Sequence, residues 1–230
     1  MSDSFERGLS LYSKGKFEEA KAEFLKIEDT GRKKPLADYY LGLCYVQLRD
    51  SKTAIKYYKK VRSIDLEGLG LVDSESFVYN LFINMGSAFL SEKEYEDAAR
   101  SFEEALRMRN WDSRVKMNLA NAYLYLHEHR KARELFESLV SNDSEVPEIY
   151  YCLGVSYLHT SEFLKARKMF EIAVKKQHRA RLVLLRLYET LIELKEDNEA
   201  NKLKVELVQL YESEEKLNEI LEKKKMERQN

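Results

Sequence analysis

GLSLYSKGKFEEAKAEF, residues 8–24, sets a small residue at Gly8, a bulky one at Leu11, a second small residue at Ala20 and an aromatic ring at Phe24. The pattern recurs as GLCYVQLRDSKTAIKYY (42–58), GSAFLSEKEYEDAARSF (86–102), ANAYLYLHEHRKARELF (120–136) and GVSYLHTSEFLKARKMF (154–170). Ala20, Ala54, Ala98, Ala132 and Ala166 are spaced by 34, 44, 34 and 34 residues, and each is followed four residues later by Phe24, Tyr58, Phe102, Phe136 or Phe170. Four of the chain's 8 glycines, Gly8, Gly42, Gly86 and Gly154, share one repeat position, which chance placement does not produce. A period of this length marks a supersecondary unit that must stack on copies of itself to bury a continuous core.

Each spacing has a physical reading. Small residues at positions 8 and 20 let two helices approach closely, and the bulky residues at positions 11 and 24 fill the gaps beside them. Each unit is therefore expected to be a helix hairpin. Ser13 to Gly15 and Ser91-Glu92-Lys93-Glu94 read as breakers between the helices, the second also as a capping box. Pro35 and Pro147 fall at the first position of a unit, where proline sacrifices no needed hydrogen bond.

Gly8, Leu11, Gly15, Phe17, Ala20 and Phe24, together with Leu41, Gly42, Tyr45, Ala54 and Tyr58, resemble the tetratricopeptide repeat pattern. Units are expected at about 1–34, 35–68, 79–112, 113–146 and 147–180, with an insertion at 69–78 that either lengthens a helix pair or forms a loop. A degenerate sixth unit at about 181–214 keeps Leu187, Leu191 and Ala200, but carries Tyr188 at the small position and Lys204 at the aromatic one. Together these form a 1–214 solenoid. Residues 215–230 read as a charged C-terminal capping helix or tail, with Leu217, Ile220 and Leu221 on one side and partner binding or self-association as the alternative use. The resemblance implies an all-α, right-handed superhelical solenoid of antiparallel helix hairpins, with a concave groove built from the first helices.

Thirty-nine Lys plus Arg balance 40 Asp plus Glu, so no global field recruits nucleic acid or an anionic membrane. MSDSFERGLS lacks a basic segment followed by an apolar core, and no stretch approaches the roughly 18 apolar residues of a spanning helix, so a cytoplasmic protein is expected. Cys44 and Cys152 are too few for a disulfide framework and have no metal-ligand spacing. His127 and His129 flank Glu128 and point in different directions, with no third ligand nearby in sequence. His159 and His178 fall near expected helix ends. Trp111 is expected to pack between the third and fourth units. Neither phosphate-loop nor dinucleotide motifs occur, and the reading is of a non-enzyme without metal or cofactor.

In the implied groove, position five runs Phe5, Tyr39, Ile83, Met117, Tyr151 and Leu185, and position six runs Glu6, Tyr40, Asn84, Asn118, Cys152 and Arg186. With Arg114 and Asn121, this makes an amide centre flanked by tyrosines, able to pair with both donor and acceptor of a peptide backbone. Tyr40, Asn84, Arg114, Asn118, Asn121 and Tyr151 are the candidate peptide-contacting residues. Phe5, Tyr39 and Ile83 stand where the family's chaperone-tail clamp carries its first lysine, which argues against that ligand. The expected partner is thus a peptide or helix of another protein. A second candidate is a basic stretch, Lys165 to Arg186, in which Lys175, Lys176, Arg179, Arg181 and Arg186 could dock an acidic protein segment, nucleic acid or an anionic surface, with the acidic segment ranked first and nucleic acid below it.

Overall fold

The computed structural model describes residues 3–27, 33–63, 74–140, 146–176 and 181–229, and every regular element among them is helical. Two compact units divide the chain, Met1–Ala122 and Tyr123–Asn230. The first holds α1 (Ser4–Ser13), α2 (Phe17–Phe24), α3 (Lys34–Gln47), α4 (Ser51–Arg62), α5 (Ser74–Ser91), α6 (Tyr95–Met108) and most of α7 (Ser113–Tyr125). The second holds the end of α7, then α8 (His129–Leu139), α9 (Pro147–His159), α10 (Phe163–Lys175), α11 (Arg181–Glu193), α12 (Asp197–Tyr211) and α13 (Glu214–Gln229). Within each unit, consecutive helices pack as hairpins and hairpins pack on one another: α1 with α2, α3 with α4 and α5 with α6 in the first, α9 with α10 and α11 with α12 in the second.

The position-8 glycines have a more specific cause than backbone approach. A Cβ built on Gly8, Gly42, Gly86 or Gly154 would lie 2.6, 2.3, 2.7 or 2.6 Å from the ring of Phe24, Tyr58, Phe102 or Phe170. The position-24 ring packs directly against the first helix of its own hairpin, and any side chain at the glycine would displace it. All four rings are fully buried.

The hairpin turns share one geometry. Gly15, Arg49, Lys93, His127, Ser161 and Lys195 all occupy the left-handed region, with φ between 58° and 74°. In every case the next residue's N–H donates to the carbonyl five residues back, as in Lys16 to Leu11 (3.0 Å), Asp50 to Tyr45 (2.8 Å) and Glu94 to Phe89 (2.9 Å). This satisfies carbonyls that the first helix leaves open at its C-terminus. Glycine fills this position once, at Gly15; elsewhere L-residues carry a penalty that the stacked hairpins overrule. The capping box expected at Ser91–Glu94 does not form. Ser91 is the last residue of α5 and donates to the Ser87 carbonyl, and Glu94 is itself the N-cap of α6 without a side-chain cap bond.

Of the 69–78 insertion, residues 74–78 extend α5 to 18 residues, and 69–73 lie outside the described residues. The degenerate hairpin α11–α12 forms without the small-aromatic pair. Tyr188 packs beside a cluster of Leu184, Leu185, Leu207 and Leu217, and Ile220 and Leu221 join it, so α13 spends its apolar stripe covering α11 and α12. Lys204, at the aromatic position, pairs with Glu214 of α13 at 2.5 Å instead. No helix among the described residues is long and apolar enough to cross a membrane.

Candidate functional site

In residues 1–122, the first helices α1, α3 and α5 bring their position-five and position-six side chains together. Phe5 and Tyr40 meet edge-to-face at 6.1 Å, Tyr40 stacks on Phe24 at 5.4 Å, and Tyr39 lies 4.9 Å from Phe77 of α5. Tyr40 is thereby half-buried between α1 and α3. Asn84 of α5 donates from Nδ2 to the Tyr39 hydroxyl at 2.8 Å, a link between successive first helices. Burial pushes the Tyr39 hydroxyl up to about 12, so it stays a neutral phenol that can accept that bond.

The remaining members of this set lie on α7. Asn118 is half-buried and makes no side-chain hydrogen bond to another described residue. Asn121 is half-buried as well. Arg114 is exposed, its guanidinium 3.6 Å from Asp112. Sequence reading missed Asp112, which anchors this junction. Its carboxylate accepts from the Arg114 and Val115 N–H groups at 2.9 and 3.3 Å, capping α7, and from the Tyr79 hydroxyl at 2.6 Å. Burial would raise its pKa, yet these hydrogen bonds outweigh it and hold the carboxyl below the usual range. Trp111, one residue earlier, is 71% exposed rather than packed between repeats, because Asp112 and Tyr79 close the junction in its place.

In residues 123–230, Tyr151 of α9 is tilted against Phe170 at 6.1 Å. Burial raises its hydroxyl pKa, opposed by the guanidinium of Arg186 beside it. Arg186 departs from the basic-patch reading: it is buried and bonded to Glu189 at 2.8 Å, its position on α11 facing the α9 side rather than solvent. Arg179 and His178 lie outside the described residues. The charge of Arg167 is balanced by its neighbours, through pairs with Glu171 (2.8 Å), Glu196 and Glu199 (2.9 Å), while Lys165 pairs with Glu162 (2.7 Å). Among the described residues, exposed Lys168, Lys175 and Arg181 and half-buried Lys176 remain, with Lys176 over the Tyr150 ring and Arg181 over the Tyr211 ring.

Two further arrangements went unread in the sequence. Arg133 pairs with Glu162 as Arg167 pairs with Glu196, both across 29 residues, so an arginine of one second helix grips the N-cap of the next. That common spacing was the available signal. His159, the last residue of α9, stacks on His129 with centroids 4.0 Å apart, and His127 lies edge-on to His129 at 5.8 Å. Burial, then the proximity of His127, lowers the His129 pKa. No group of three or more His, Cys, Asp or Glu suited to a metal occurs among the described residues. Burial pushes the Cys44 thiol to about 11 and the Cys152 thiol to about 12, so neither is a thiolate near neutral pH.

Family models described as tetratricopeptide repeat match residues 5–65 and 89–155. No curated protein sequence matches the chain. Among solved structures, the C-terminal part of a TPR repeat-containing protein from Cytophaga hutchinsonii is 16% identical with a TM-score of 0.69, over 89% of this chain and 78% of that one. PilF of Pseudomonas aeruginosa is 20% identical with a TM-score of 0.64, over 96% of each chain. YrrB, described as a TPR protein with an unusual peptide-binding site, is 19% identical with a TM-score of 0.67, over 79% of this chain and 88% of that one. The all-helical repeat architecture is that of protein-interaction scaffolds.

Proposed function

The chain belongs to the tetratricopeptide repeat family, and from that membership we propose that it binds a peptide or helical segment of a partner protein along the first-helix faces, to assemble a complex. The observation that carries this reading is the amide pair on α5 and α7. Asn84 is held by Tyr39, and its carbonyl oxygen accepts no bond from a described residue; the Asn118 side chain has no hydrogen bond to a described residue. A carboxamide presents both an acceptor and donors, the complement of a peptide group, and a pre-positioned one loses less entropy on binding. Tyr39 and Tyr40 supply rigid contact area beside it.

Recruitment of nucleic acid or an anionic surface through the basic patch of residues 165–186 is the weaker reading. Among the described residues, Arg186 is internal and Lys165 and Arg167 are ion-paired, which reduces the charge that this stretch offers to phosphates. The discriminating experiment is selection of peptides from a displayed random library, followed by NMR shift mapping of a selected peptide on the full chain. Shifts gathered at Tyr39, Asn84 and Asn118 are expected. Shifts confined to Lys175, Lys176 and Arg181 would refute the first-helix site.

A further inference from the structure

A cleft lies between the two second helices α4 and α6 and over α5. It encloses about 290 Å³. Its floor is apolar, half-buried Phe82 with Met85 and Phe89 beneath. Along the α4 edge stand two exposed cations, Lys59 with Nζ 5.2 Å from the Phe89 ring centroid and Arg62 with its guanidinium carbon 5.9 Å from that of Phe82.

The two edges differ in charge balance. On α6, Arg100 is paired with Asp97 at 2.8 Å and Arg107 with Glu104 at 2.7 Å, and Glu103 also lines the cleft. Lys59 and Arg62 form no ion pair with a described residue; their partners are the two rings. Cations held over aromatic rings, beside a floor where half-buried Phe82 is the accessible apolar side chain, are poised for an anion that arrives with apolar surface. A nucleic acid would meet Asp97, Glu103 and Glu104 on the opposite edge, and its phosphates have no use for the apolar floor. A peptide carboxylate reaches the α4 edge alone and can lay a neighbouring aliphatic side chain on Phe82.

We propose that the α4–α5–α6 cleft docks an acidic segment of a partner protein, with carboxylates on Lys59 and Arg62 and an adjoining aliphatic side chain over Phe82. This site is separate from the amides of α5 and α7, so the scaffold would hold two segments at once.

The test uses the full chain and a short fluorescein-labelled peptide of glutamates interrupted by leucines, read by fluorescence anisotropy. Two control peptides carry lysine for each glutamate or serine for each leucine. The acidic peptide should bind, Lys59→Glu/Arg62→Glu should weaken it at least about tenfold, and both controls should bind less well. Asn84→Ala/Asn118→Ala should leave it unchanged, which separates this site from the first-helix one. If charge reversal impairs folding, Lys59→Gln/Arg62→Gln tests the same contacts with a smaller loss. The proposal is overturned if the acidic peptide does not bind, if it binds equally to all α4 variants, or if Lys175→Glu/Lys176→Glu removes binding instead.

Discussion

A Cβ on Gly42 would lie 2.3 Å from the Tyr58 ring, and that ring is fully buried. Gly42→Ala is therefore predicted to destabilise the chain by about 1–3 kcal/mol, the range for overpacking, because Tyr58 has no free volume into which to withdraw. Gly15→Ala has no neighbour within 4 Å and should lose only about 1 kcal/mol, from its positive φ. Urea unfolding followed by circular dichroism compares the two. In the Tyr58→Leu background the Gly42→Ala penalty should shrink; an unchanged penalty would place its cause elsewhere.

Lys195 repeats the Gly15 turn with φ 58°. Lys195→Gly relieves about 1 kcal/mol of left-handed strain and returns most of it as unfolded-chain entropy, so thermal stability should change little. Lys195→Val should cost about 1–2 kcal/mol, since a β-branched side chain tolerates this region worst. A large loss with glycine would show that the lysine side chain, not the backbone, holds the turn.

Asp112 carries a pH prediction. Its folded pKa is depressed, so the stability it contributes is present above its unfolded value near 3.9 and is lost as pH falls through the lower folded value. Asp112→Asn should cost about 1–2 kcal/mol at pH 7, for a weakened α7 cap and a lost charged acceptor for Tyr79. The gap between variant and parent should narrow in acid-titrated melts below about pH 4. A gap that stays constant down to pH 2 would contradict the role of the carboxylate.

Arg186 and Glu189 form a buried pair in which Arg186 Nε and Glu189 Oε1 have no hydrogen-bond partner among the described residues. Removing one member leaves an uncompensated charge, so Arg186→Met is predicted to cost about 3 kcal/mol or more. Arg186→Met together with Glu189→Leu should recover most of that loss, read by chemical denaturation. Equal stability of single and double variants would mean that the charge is solvated in the folded state.

The hairpins were legible because their determinants are local: Gly8 and Phe24, or Gly42 and Tyr58, stand at a fixed spacing within one unit. The left-handed turn was legible only at Gly15, because Arg49, Lys93 and Lys195 accept the strain without a compositional sign. Pairings between hairpins escaped. Arg186 read as exposed charge because repeat position fixes a helix face but not the depth of a side chain within it, and Glu189 lies one turn on to receive it. Trp111 read as packing because its size favours burial, whereas the turn that carries it faces solvent. The stack of His129 on His159 depends on the packing of α8 against α9, which no spacing within either helix encodes.

Isothermal titration calorimetry of a display-selected peptide against the parent chain and Asn84→Ala/Asn118→Ala, at low and high salt, bears most directly on the proposed first-helix peptide site. The account predicts that the double substitution weakens binding by about tenfold or more, with little change between the two salt concentrations. Equal affinity for both chains, or binding that disappears at high salt, would contradict it.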